Sequence, residues 1–262
     1  MKTRLDAELV RRGLARSRES ASELILNNLV LVSGIPASKV ATQVDAQTSI
    51  ILKDQNDKYV SRGGYKLEGA LNKFSSIEIA GKVILDAGAS TGGFTDVLLQ
   101  NQASKVIAVD VGYGQLAWEL QTNPRVKILD RINIRNITLE QIGERVDVVV
   151  ADLSFISLKL VLAPLISVSR EDAHFLLMVK PQFEVGKESL GAGGVVREIA
   201  LRKSAVTEVA KYAFSLGLGC LGVVASTLPG PAGNVEYFLW LKANAPALLE
   251  VDLDNAISEG PQ

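Results

Sequence analysis

The sequence predicts a doubly wound α/β domain, a mostly parallel sheet with its last strand reversed, preceded by a small basic α+β head. Three observations lead there. From Gly81 onward, short Val/Ile/Leu runs alternate with stretches of helical length, as in a sheet covered by helices on both faces. A glycine-rich turn follows the first of those runs and opens a helix. The first 66 residues hold 11 Lys/Arg against 7 Asp/Glu and the rest 17 against 22, so a basic arm sits on an acidic body, suited to a polyanion partner bound at one end.

The bulk composition sets the limits. With 47% apolar and 22% charged residues, the 262-residue chain supports a sizeable core and is not disordered. The single cysteine, Cys220, excludes an intrachain disulfide framework and suggests a reducing, cytoplasmic setting. Cys220 and the single histidine, His174, cannot build a Cys/His zinc site or a Cys–His nucleophile pair, so no metal is expected. The charged opening segment has no secretory apolar stretch. Residues 212–235 carry no charge and could reach across a bilayer, but Gly217, Gly219, Gly222, Pro229, Gly230, Pro231 and Gly233 interrupt them. They read as a helix end, a buried strand and a turn-rich loop in a soluble protein without a membrane partner.

In the head, Leu5, Leu9 and Leu14 line one helical face, and Ser17, with Ser20 as rival, caps a second helix through Leu24 and Ile25. Asn27-Asn28 closes that helix with a left-handed cap. Residues 29–32 read as a strand, Ser33-Gly34-Ile35-Pro36 as a turn and 49–52 as a final strand. Arg4, Arg11, Arg12, Arg16 and Arg18 cluster on or between the helices. The ordered set Arg4-Leu5-Asp6, Ser17-Arg18 and Val30-x-Val32-x-Gly34 resembles the small RNA-binding domain shared with ribosomal protein S-four, with Asn28 where that family usually has glycine. The resemblance implies that these five arginines, with Arg62 just beyond the head, meet RNA. Residues 53–58 are polar and read as a linker, so the expected division is a head at 1–60 and a body at 61–262.

The body begins with Ser61-Arg-Gly-Gly-Tyr-Lys66-Leu, which leads into a helix with apolar Leu67, Ala70, Leu71 and Phe74. Strands are expected at 83–87, 105–111, 126–129, 146–151 and 175–179, then an antiparallel edge pair at 223–225 and 235–241 joined by a Pro/Gly loop. The turn after the first strand contains Asp86, Gly88, Ala89, Ser90, Thr91, Gly92 and Gly93. Its glycines let backbone approach a ligand while amides at the helix start face it. The D-x-G-x-x-x-G-G-F spacing is not the dinucleotide spacing and no P-loop lysine follows, which favours S-adenosylmethionine over NAD. Asp110, ending the second strand, suits ribose hydroxyls, and Asp130, ending the third, suits the adenine amine. Asp86 can orient the loop or meet the methionine ammonium through water.

Asp152 and Lys180 lie at the carboxyl ends of the fourth and fifth strands, where such sheets bind ligands; Glu236 opens the last strand and Lys66 lies on the helix before the first. Asp152 also borders the expected cofactor site. Together with the glycine loop, Lys66, Asp152, Lys180 and Glu236 resemble the K-D-K-E tetrad of FtsJ-like ribose 2′-O-methyltransferases. With Asp-Leu-Ser-Phe-Ile-Ser, Val-Lys-Pro-Gln-Phe-Glu and Gly-Asn-Val-Glu included, the resemblance extends over nearly the whole chain to the TlyA family, named haemolysins in older usage. It implies a Rossmann-like fold and methylation of cytidine ribose in the ribosomal RNA of one or both subunits.

The chemistry is compatible. A ribose hydroxyl is a weak nucleophile, so alignment with the donor methyl and removal of one proton are the main demands. Lys180, with Lys66 close by, is the candidate base; Asp152 and Glu236 oppose its neutral form and more readily hold the lysines in register. The glycine-rich stretch 186–197 is read equally as a lid or as a plain connection, with Lys187 and Arg197 as possible phosphate contacts. Trp118, Trp240 and the tyrosines show no stacking-platform spacing, so most of them are expected in the core. Two alternatives remain open at this level, a non-catalytic ribosome-assembly factor and a membrane-active haemolysin.

Overall fold

A computed structural model describes residues 2–26, 28–52, 58–186 and 189–260. Of the linker expected at 53–58, residues 53–57 lie outside the described residues, as do Asn27 and Lys187.

The head contains β1 (Thr3–Arg4), α1 (Leu5–Arg11), α2 (Arg18–Leu26), β2 (Val30–Val32), β3 (Ile35–Pro36), β4 (Gln43–Val44) and β5 (Ile50–Leu52). Leu5 and Leu9 from α1 and Ala21 and Ile25 from α2 pack against Val30, Val44 and Ile50 to form its core. Ser17, not Ser20, caps α2: its Oγ accepts the Ser20 amide at 3.1 Å. Asn28 takes the left-handed conformation at φ 57°, which asparagine tolerates better than other side chains. The turn after β2 is shorter than expected. Ser33 and Gly34, at φ 51° and 80°, close a two-residue hairpin, and Ile35 and Pro36 pair back onto Val32 and Leu31.

The body continues with α3 (Arg62–Lys73), β6 (Val83–Ala87), α4 (Gly93–Gln100), β7 (Lys105–Asp110), α5 (Trp118–Gln121) and β8 (Val126–Asp130). There follow α6 (Leu139–Ile142), β9 (Val146–Ala151), α7 (Leu162–Ser167), β10 (Ser169–Val179) and α8 (Pro181–Glu184). The last elements are α9 (Ile199–Ser215), β11 (Leu218–Ala225), β12 (Tyr237–Ala243) and α10 (Glu250–Glu259). Seven strands form one sheet in the order β11-β12-β10-β9-β6-β7-β8. The five strands from β10 to β8 are parallel, and β12 runs antiparallel to both β10 and β11. Neighbouring residues of a strand serve opposite cores: Ile84, Val148 and Leu176 pack on one face of the sheet, Leu85, Val149 and Leu177 on the other.

The chain leaves central β6 first toward β7 and β8 and later returns to build β9 and β10 on its other side, so the topological switch lies at the carboxyl end of β6. Two strands exceed their expected lengths. β10 starts six residues early because Ser169-Arg-Glu-Asp is polar and hides the strand, and its pairing with β9 is irregular there. β11 starts at Leu218, where glycines masked the pattern. Each is a close approach: a Cβ on Gly219 would lie 1.9 Å from the Ala245 carbonyl oxygen, and one on Gly222 would lie 2.6 Å from the Phe74 ring. The uncharged stretch 212–235 resolves into the end of α9, all of β11 and a loop. Among the described residues, no helix is long and apolar enough to cross a membrane.

Candidate active site

The site grows from the carboxyl rim of the sheet at the switch point. Gly88, at φ 85°, turns the chain away from β6; a Cβ there would meet the Asp152 carbonyl oxygen at 2.6 Å. The Asp152 amide in turn donates to the Ala87 carbonyl at 3.0 Å, which ties the start of the loop after β9 to the end of β6. Gly93, at the start of α4, allows the first turn of α3 to approach: its Cβ would lie 2.3 Å from Ser61 Oγ and 2.7 Å from the Gly64 nitrogen. That approach places Lys66 over the glycine loop. Lys180 stands between β10 and Pro181; the proline ring disfavours a helical Lys180 and fixes the start of α8.

Two ion pairs converge on one cavity of about 600 Å³. Lys66 Nζ lies 2.6 Å from Glu236 Oε2, with side-chain exposures of only 8% and 1%. Lys180 Nζ lies 2.5 Å from Asp152 Oδ1 and donates to Ser154 Oγ at 3.1 Å. Lys66, Asp152 and Lys180 are on the cavity wall, while Glu236 holds Lys66 from behind. The second Glu236 oxygen, Oε1, is buried with no hydrogen-bond partner among the described residues, and it occupies space that a Cβ on Gly230 would invade at 2.6 Å. Glu236 itself stands one residue before β12, not inside it. The four residues singled out from the sequence are therefore brought together.

The cofactor expectations divide. Gly88, Ala89, Ser90, Thr91, Gly93 and Asp152 line the cavity. Asp86, Gly92, Asp110 and Asp130 are not on its wall. Asp86 is fully buried and accepts from Thr95 Oγ1 at 2.6 Å, so it braces the loop from below and does not reach outward to a ligand ammonium. Burial pushes its carboxyl up to about 7, against the Thr95 hydrogen bond and with help from the Asp152 charge. Gly92 caps α4 at φ 100° and packs toward Leu120. Asp110 Oδ2 accepts the Ser90 amide at 2.8 Å and Oδ1 the Gly112 amide at 2.7 Å, while Asp130 Oδ2 accepts the Gly114 amide at 2.8 Å. These two acids shape the turns beside the cavity; each carboxylate retains lone pairs for further donors.

A glycine cradle at a helix start, a cavity of ligand size and no phosphate-binding lysine fit an adenosyl methyl donor.

In the head, two nearly buried acids each hold two arginines. Asp6 accepts from Arg4 at 3.0 Å and from Arg18 at 2.7 Å; Glu8 accepts from Arg11 at 2.6 Å and from Arg12 at 2.7 Å. These bonds hold both carboxyls down at about 2, against desolvation. Arg12 also donates to the Thr48 and Asp45 carbonyls, which makes it mainly a structural strut. Arg4, Arg11 and Arg18 remain 47%, 60% and 61% exposed and so available to a polyanion. Arg62 departs from this cluster and lines the cavity, where Leu31, Pro36 and Ile51 of the head face Ser61, Trp118 and Pro229 of the body.

Sequence patterns missed several residues. Trp118 is one of the aromatics outside the core: it is half exposed on the cavity wall. Trp240 does pack inward, against Phe74, and its indole N–H donates to His174 Nδ1 at 2.8 Å. Ser154 and Glu184 belong to motifs read from the sequence, but only geometry gives them contacts. The glycine-rich stretch is tied down at its end: Asn234 accepts the Val196 amide at 2.9 Å and donates to the Gly194 carbonyl at 3.1 Å. The Arg197 carbonyl accepts from Arg202. No cluster of three or more potential metal ligands occurs among the described residues.

Comparison with known proteins adds to this geometry. Residues 59–243 match the family of FtsJ-like methyltransferases, and residues 3–50 match the S4 domain. The chain is 54% identical, over 99% of both chains, to a Mycobacterium tuberculosis protein named 16S/23S rRNA (cytidine-2′-O)-methyltransferase TlyA. It is 36% identical to Hemolysin A of Brachyspira hyodysenteriae, over 89% of this chain and 97% of that one. Among solved structures, a "Putative hemolysin from Streptococcus thermophilus" superposes with a TM-score of 0.76 at 34% identity, covering 98% of this chain and 95% of the other.

Proposed function

The chain belongs to the TlyA family of S4-headed, FtsJ-like methyltransferases, and on that premise we propose that it transfers a methyl group from S-adenosylmethionine to the 2′-hydroxyl of a cytidine ribose in ribosomal RNA. The reading divides the chain into an RNA-binding head at 1–60 and a catalytic body at 61–262, working in the cytoplasm where ribosomal subunits are found. What supports it most is the convergence of the Lys66–Glu236 and Lys180–Asp152 pairs on one cavity beside the glycine loop.

S-adenosylmethionine, when bound, supplies an activated methyl group. The loop from Gly88 to Gly93 would hold it, with Asp110 and Asp130 shaping the adenosyl end and Asp86 bracing the loop from beneath. The protein's own task is then to align the ribose oxygen and take its proton. Lys180 Nζ receives that proton in its neutral form, and Asp152, 2.5 Å away, favours the ammonium so created. Lys66, fixed by Glu236, places a second positive charge beside the developing ribose oxyanion.

Arg4, Arg11 and Arg18 bind the RNA backbone, with exposed Arg16 as a further contact and Arg62 meeting RNA at the cavity. The test is direct. Purified protein is given labelled S-adenosylmethionine and separate small and large ribosomal subunits from an unmodified strain, and the label is mapped. Label on a cytidine 2′-oxygen is expected. Tight donor binding without methyl transfer to either subunit would favour a non-catalytic assembly role.

A further inference from the structure

The chemistry proposed above takes place where two loops meet. Asp152 and Ser154 are carried by the segment after β9, and Lys180 by the segment after β10. Strand pairing fixes these loops only as far as Ala151 opposite Leu177. Beyond the strands, side chains must set their separation.

Three contacts close the gap. Lys180 reaches Asp152 and Ser154 at the inner end. In the middle, the Phe155 and Phe183 rings pack with centroids 5.2 Å apart. At the outer end lies Glu184, the last residue of α8. Its Oε2 accepts the Ser157 hydroxyl at 2.5 Å and its Oε1 accepts the Leu158 amide at 2.7 Å. Ser157 in turn caps a single 3-10 turn, Leu158–Leu160, by accepting the Lys159 amide. Both carboxylate oxygens are thus spent on the facing loop. Burial raises the Glu184 carboxyl above its ordinary value, opposed by the bonds from Ser157 and Leu158. The side chain does not line the cavity.

We propose that Glu184 is a positioning residue of the methyl-transfer site: by locking the 152–157 loop to the 180–184 turn, it sets the separation of Asp152 and Ser154 from Lys180. The inference rests on the catalytic reading of Lys180 and deepens it. Alignment makes the effect large: a misplacement near 1 Å costs about 100-fold in rate. Glutamine retains an acceptor for the Leu158 amide and can donate to Ser157 Oγ, so Glu184→Gln keeps the brace, whereas Glu184→Ala removes it.

The experiment compares kcat, KM for RNA and calorimetric donor affinity for the wild type, Glu184→Ala, Glu184→Gln, Ser157→Ala and Lys180→Ala. Glu184→Ala is expected to lower kcat by about 10- to 100-fold, with RNA KM and donor affinity within about threefold of wild type. Glu184→Gln should recover most of that loss, and Ser157→Ala should fall between. The proposal is overturned if Glu184→Ala keeps wild-type kcat, if its kcat falls only in proportion to its folded fraction, or if Glu184→Gln is as impaired as Glu184→Ala. Should the alanine variant not fold, the proposal stands if Ser157→Ala lowers kcat more than Glu184→Gln and falls if neither lowers it. A Lys180→Ala protein with full activity would refute the catalytic reading itself; an inactive Lys180→Ala beside a fully active Glu184→Ala would refute this inference alone.

Discussion

Head and body both set cations against carboxylates, but the head buries only the acid, whereas the body covers the cation as well. In the head, Asp6 and Glu8 are the buried members; the arginines they fix at Arg4, Arg11 and Arg18 are largely open to solvent, while Arg12 is mostly covered at 21%. In the body the lysines are themselves covered: Lys66 and Glu236 are only 8% and 1% exposed, and Lys180 is 10% exposed beside an Asp152 at 23%. An exposed guanidinium held in place has lost part of its rotamer freedom before a phosphate arrives, which suits a binding surface. An ammonium held at a cavity wall is desolvated and aimed, which suits chemistry on a bound group. The same pairing therefore serves affinity in one region and reaction in the other.

The largest test of that contrast is to remove one cation from each region. Lys180→Ala should lower kcat by about 10²–10⁴, the usual weight of a positioned acid–base group, with little change in RNA affinity. Arg18→Ala should do the reverse: kcat at saturating RNA stays close to wild type, while RNA affinity falls about tenfold and the slope of log affinity against log salt drops by about one. Steady-state kinetics and salt titrations on the same subunit substrate separate the two. Equal kcat losses in both variants would mean that the head takes part in the chemical step.

The next effect concerns stability. Glu236→Ala leaves Lys66 buried without its carboxylate, a change that typically costs about 3–5 kcal/mol. Glu236→Gln, which keeps an acceptor for Nζ, should lose less. Removing Glu8 instead frees Arg11 to enter solvent, since its side chain is 60% exposed, so denaturant unfolding should show a smaller loss for Glu8→Gln than for Glu236→Ala. The reverse order would sink the claim that the body's pair is the more deeply committed of the two.

These differences also mark what the sequence could disclose. The five parallel strands could be located in advance from Val/Ile/Leu runs and the last pair from the Pro/Gly loop between them, while the polar start of β10 and the glycines of β11 hid their true lengths. Lys66, Asp152, Lys180 and Glu236 stood out because three of them lie at strand ends and the set matched a known pattern. Their pairing was not readable, since nothing in the chain order says that Lys66 will choose Glu236, 170 positions away. In the head, Arg4, Arg11 and Arg18 announced a charged surface, but the depth of Asp6 and Glu8 depends on how α1 packs. The head side chains on the cavity wall depend on how residues far apart in the sequence meet, which local periodicity does not encode.

The finest distinction lies in pH. Asp6 and Glu8 sit at about 2 in the fold, below their ordinary carboxyl values of 3.8 and 4.5, so the stability they contribute is fully present above those values. It is lost as pH falls toward 2. Asp86 behaves oppositely: its folded value of about 7 lies above the ordinary 3.8, so the fold favours its protonated form. Its contribution is fully present below 3.8, declines as pH rises and is gone above about 7. Both tryptophans, Trp118 and Trp240, belong to the body, so their fluorescence follows that region. Wild type and Asp86→Asn should therefore diverge in urea midpoint between about pH 5 and 7, with wild type losing stability relative to the variant as pH rises. Parallel midpoint–pH curves for the two proteins would show that Asp86 stays ionised in the fold and would remove the acid–base asymmetry between head and body.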